Sequence, residues 1–160
     1  MEMTTSAREL LRHCLATTAY RAGKALRDAP ESFGNYKADE TSRTPVQIVA
    51  HMGDLFDWAL SISKGKEVWH ESKPLPWAQE VARFFDTLKK LDDYLCGQEQ
   101  LHVSPEKLFQ GPVADAVNHV GQLAMLRRMA GAPIKGENYF KAEIATGRVG
   151  LEQAAPKREF

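Results

Sequence analysis

Cysteine is scarce in this chain of 160 residues: there are two, Cys14 and Cys96, far apart in sequence. That excludes a disulfide framework and a cysteine-based zinc site, which needs closely paired thiolates. No apolar run approaches the roughly 20 residues needed to cross a bilayer. An excess of either charge is missing as well. The 21 basic and 21 acidic residues give a formal net charge of zero, so nothing global draws the chain to nucleic acid or an anionic membrane. Phosphate-binding glycine loops, dinucleotide glycine patterns and nucleophile elbows are absent too. Residues 1–11 carry early acidic side chains and no apolar stretch, which argues against a signal peptide. The expectation is one cytoplasmic domain without nucleic-acid or membrane partners.

What is present is apolar content of 43%, enough for a core at this length, and a helical period along most of the chain. Ser6 and Glu9 form a capping-box pattern ahead of an apolar face made by Leu11, Cys14, Leu15, Thr18, Ala22 and Ala25. Asp28-Ala29-Pro30 ends that helix. Thr44, Pro45 and Gln47 open a second, whose face is Ile48, Met52, Leu55, Trp58, Ala59 and Ile62 and whose end is Gly65. A third helix runs from Trp77 to Gly97. The fourth is expected to open at Gly111-Pro112, run from about Val113 to Ala130, and stop at Gly131 before Pro133. The fold class is therefore all-α: a four-helix bundle over residues 1–131, with an irregular C-terminal tail over 132–160 packed on it in the same domain. The connections are long enough for either a simple up-down order or a crossover.

Two helices carry polar side chains on their apolar arcs. At about 100° per residue, Leu55, Ile62, Ile48 and Trp58 fall within about 60° of His51, which therefore points inward. Asp54 sits at the arc's edge and Asp57 outside it. On the fourth helix His119 lies mid-arc among Ala116, Leu123, Leu126 and Ala130. Asp115 is one turn before it and Gln122 three residues after. A buried carboxylate needs a partner or a cation, and imidazole is the commonest side-chain metal ligand. His51, Asp115 and His119 together offer two nitrogens and one oxygen from facing helices, with room for water or substrate. The same residues also satisfy one another as an internal hydrogen-bonded network. Arg127-Arg128 reads by default as a surface pair, although Arg127 borders the inward arc, from which it could also face an anionic substrate.

The stretch from Thr44 to Leu60, with His51 after an apolar turn and before an acidic and aromatic run, resembles the second-helix signature of the DinB/YfiT-like superfamily. Asn118-His119-Val120-Gly121-Gln122-Leu123 resembles its fourth-helix signature, and the end of the first helix is similar as well. The resemblance spans about residues 6–131. It implies a four-helix bundle, often dimeric, that binds a divalent metal through one histidine on the second helix and two on the fourth. His51 and His119 match two of these positions, and Asp115 stands where the third histidine is usual. A two-histidine, one-carboxylate set shifts preference toward Fe or Mn, with Zn and Ni also accommodated. The resemblance further implies a metal-dependent enzyme, a transferase using a small-molecule substrate such as a low-molecular-weight thiol. Asp54, Trp58, Asn118, Gln122 and Arg127, with the tail aromatics, would surround the metal. The competing expectation is a metal-free helical scaffold, stress-related and without catalytic activity.

Overall fold

A computed structural model describes residues 6–160; residues 1–5, part of the stretch read as lacking an apolar leader, lie outside it. Four helices pack together, and the described residues contain no strand beyond an isolated antiparallel bridge between Glu137 and Glu159. Helix α1 spans Ala7–Leu26, α2 Pro45–Ser63 and α3 Trp77–Cys96; the fourth is composite, with α4 at Pro105–Leu108 and α5 at Ala114–Met129. No helix among the described residues is long and apolar enough to cross a membrane.

The caps explain most boundaries. Ser6 Oγ accepts the Glu9 N–H, but Glu9 turns its carboxylate to Arg12 at 3.2 Å instead of closing the box. The box on α2 is complete. Gln47 N–H donates to Thr44 Oγ1 and Thr44 N–H donates to Gln47 Oε1. Past α5, Gly131 at φ 81° lets its own N–H reach the Arg128 carbonyl and the Ala132 N–H reach that of Arg127, the double closure that glycine permits at a helix end.

The start of the fourth helix departs from the expectation. Ser104 caps it, with Pro105 in the first position, six residues before Gly111. Gly111-Pro112 does not open a helix but lies inside a π-turn, Phe109–Val113, where the Ala114 N–H reaches back to the Phe109 carbonyl. Proline has no N–H to give the preceding turn, and the wider turn absorbs one extra residue without ending the helix.

The core is formed by side chains such as Leu15, Met52, Phe56, Phe84, Leu88, Leu91, Leu108 and Leu123, all fully buried. The main contacts pair α1 with α3 and α5, and α2 with α3 and α5. Consecutive helices α1 and α2 are therefore diagonal. Side-chain pairings give the directions. Arg8 donates to Leu95 O and Arg12 pairs with Asp92, so α1 and α3 are antiparallel. Arg83 donates to Ala50 O near the two starts, and Tyr94 donates to Ser63 O near the two ends, so α2 and α3 are parallel. The connection between them, residues 64–76, must then travel back along α2. That return stroke is the crossover the sequence left open, and it runs past the candidate site.

Candidate metal centre

Helix α2 supplies His51, and α5 supplies Asp115 and His119 one turn apart. His51 Nε2 lies 3.2 Å from Asp115 Oδ2 and His119 Nε2 3.5 Å from Asp115 Oδ1. The two imidazole rings meet edge to face with centroids 4.9 Å apart. One ligand atom from each of the three lies within 4.8 Å of the others, the only such group among the described residues. His119 is buried, whereas the Asp115 side chain keeps 43% of its exposure. The group therefore sits at the wall of the bundle with the carboxylate at its mouth, rather than sealed in the core.

Gln122 Oε1 lies 2.8 Å from His119 Nδ1. The amide oxygen accepts, so Nδ1 carries a proton and Nε2 is the ring nitrogen that faces Asp115. Across 3.5 Å an Nε2 lone pair would meet a carboxylate oxygen. Such an arrangement is repulsive unless a proton or a metal cation lies between them. The donor set fits a divalent ion: two imidazole nitrogens and one carboxylate, converging, with the solvent side open.

The returning segment supplies a wall. Trp69, which no periodicity singles out because it lies in a loop, packs edge-on to His51 at 5.9 Å and to Trp58 at 6.1 Å. The Trp58 indole N–H donates to Glu67 at 3.2 Å.

Other side chains expected around the site are engaged elsewhere. Asp54 is buried, but its carboxylate accepts the Ser72 N–H and hydroxyl and pairs with Arg83. Its position on the arc's edge aims it at α3 and the crossover instead of at His51. Arg127 is also buried, and it donates to the carbonyls of Ala25, Arg27 and Ala132. It ties the ends of α1 and α5 together through its Nε and Nη1. Burial lowers its pKa from the ordinary arginine value. Asn118 is exposed on α5. Of the tail aromatics, Tyr139 meets Tyr20 of α1 edge to face and lies under the Arg21 guanidinium, and Phe140 is almost fully exposed. Cys14 is partly buried, and that burial pushes its thiol pKa up, away from thiolate chemistry.

No protein-family model, curated protein or solved structure matches the chain. The chemistry of the site rests on its own geometry.

Proposed function

We propose that the protein is a divalent-metal-dependent enzyme of the DinB type, a thiol-dependent transferase acting on a small molecule, working as a homodimer. The observation that carries the metal is the convergence of His51, Asp115 and His119, with His119 Nδ1 bonded to Gln122 so that Nε2 faces the carboxylate. A bound metal would lower the pKa of a thiol or water at the open position. The chain's own residues do the rest. The two imidazoles and the carboxylate would hold the ion, Gln122 orients one ring, and Trp69 with Trp58 excludes water from one side. The departure from the three-histidine pattern shifts preference toward Fe or Mn, with Zn and Ni still accommodated.

A specific contact favours a second reading. His51 already bonds Asp115 directly at 3.2 Å, so a metal-free scaffold would satisfy that pair. Metal content by elemental mass spectrometry, on protein purified without chelator, separates the two. Near one ion per chain, lost in His119→Ala and reduced in Asp115→Ala, is the expected result. No ion after incubation with iron, manganese, nickel and zinc salts would reject the metalloenzyme reading.

A further inference from the structure

Along the same seam between α2 and the fourth helix, on the crossover side of the triad, lies a cavity of about 550 Å³. Trp58 and Ile62 line it from α2, Gly111 and Lys107 from the fourth helix, and Glu67 from the crossover. The two helices run in opposite directions here, so stepping past His51 on α2 and back from Asp115 on α5 leads to the same place. Gly111 is one turn from Asp115, about 6 Å along the axis. A Cβ added at Gly111 would meet nothing within 4 Å, so the glycine leaves the space open.

Two opposite charges stand in this wall. Glu67 is held in place. The Lys66 N–H on one side of it bonds the Ser61 carbonyl, the Val68 N–H on the other bonds Ser61 Oγ, and Glu67 Oε1 accepts the Trp58 indole. Both side chains are exposed, and among the described residues Glu67 Oε2 and the Lys107 ammonium have no hydrogen-bond or ion-pair partner within the protein, which leaves them available to a ligand. The volume suits a small ligand, and beside the two charges the wall carries apolar surface at Trp58, Ile62 and Val103 and polar side chains at His102 and Gln110. The geometry points to a binding site for a small zwitterion, its ammonium group on Glu67, its carboxylate on Lys107 and its apolar body against Trp58. If the metal reading holds, this is where the substrate of that centre lies. The cavity itself does not depend on the metal.

The test uses the full chain with isotopically labelled tryptophan, following the indole N–H resonances by NMR. Trp77, buried against Phe33 and Gly34, is the internal reference. The probe is ε-aminocaproate, an amine and a carboxylate at opposite ends of a short methylene chain, with hexylamine and hexanoate as single-charge controls. Trp58 should shift saturably with ε-aminocaproate, about threefold more tightly than with either control. Glu67→Gln should reduce its affinity to that of hexanoate, Lys107→Gln to that of hexylamine, and Gly111→Leu should abolish the response while Trp77 stays in place. An unmoved Trp58, three indistinguishable probes, or indifference to both charge changes overturns the proposal. Chelator-treated and metal-loaded samples separate the two readings. A chain that takes no metal but binds the probe rejects the metal centre and keeps the cavity. A chain that holds metal and ignores the probe does the reverse.

Discussion

His119 shows how little distinguishes a ligand from a core histidine. Its neighbour Gln122 is exposed and would pass for a solvated surface residue, yet its amide fixes which ring nitrogen faces Asp115. Outer partners of this kind tune metal affinity by about 10- to 100-fold. Gln122→Ala should therefore weaken metal binding by at least about tenfold in competition with a chromophoric chelator, with an unchanged melting curve for the metal-free protein. A parallel loss of metal-free stability would show that Gln122 serves packing instead. Asp115→Asn keeps the shape but removes the charge, and should lower affinity while leaving His51 and His119 in place. Angular bookkeeping on a helix was enough to turn His51, Asp115 and His119 toward one another. It was not enough for Asp54 and Arg127. Both lie near the right arc, but the partners that claim them belong to α3, the crossover and the end of α1, which no single helical wheel contains.

At the scale of elements, residues 64–76 matter most. They are held to the bundle by a buried polar cluster in which Arg83 joins Asp54, Glu80 and the Ala50 carbonyl. Glu80 in turn accepts the Leu75 N–H, and Asp54 accepts Ser72. Burial works against the Arg83 charge, but Glu80 and Asp54 outweigh it and hold its pKa above the ordinary value. Gly53 makes this possible, because a Cβ there would sit 3.0 Å from the guanidinium. Arg83→Met strands two carboxylates that are almost fully buried. A loss of roughly 3 kcal/mol is expected from such a broken pair, read by urea denaturation, with red-shifted tryptophan emission as Trp69 leaves His51. A destabilised variant with unchanged emission would mean that the crossover is held by other contacts. The cluster joins two helices and a loop that no single helical wheel contains, and loops carry no period, so neither the cluster nor Trp69 was legible in the sequence. The π-turn was hidden for a related reason. Gly-Pro reads as a boundary, and only the Ser104-Pro105 cap upstream tells that the helix has already begun.

The whole molecule is closed by its tail. Glu137, fully buried, accepts from the Tyr20 hydroxyl at 2.5 Å and from Lys24 at 2.7 Å, and Lys24 also reaches Glu159. Burial, then the bond to Glu137, raises the Tyr20 phenol pKa well above its usual value near 10. Lys24 is raised too, burial opposing and the two carboxylates prevailing. Both groups hold protons more tightly folded than unfolded, so their stabilisation is present below about pH 10 and declines as pH rises beyond it. The melting temperature should fall from pH 9.5 upward (about the ordinary phenol range), and Tyr20→Phe should flatten that fall. An identical slope in the variant would assign the alkaline loss elsewhere. Of the tail's apolar and aromatic residues Val149 is buried whereas Phe140 and Leu151 are exposed, and the tail's registration on α1 depends on Glu137, one carboxylate among many.

The diagonal placement of α1 and α2 also sets an order of events during synthesis. Chains emerge from the ribosome N-terminus first, at about 5–20 residues per second. The first two helices have no shared face on which to wait together, since each finds its neighbours in α3 and the fourth helix. His51 is made 64 residues before Asp115. A nascent chain halted before the fourth helix would therefore present only His51 of the three grouped side chains, unable to chelate an ion through them until α5 has been translated and has docked beside it.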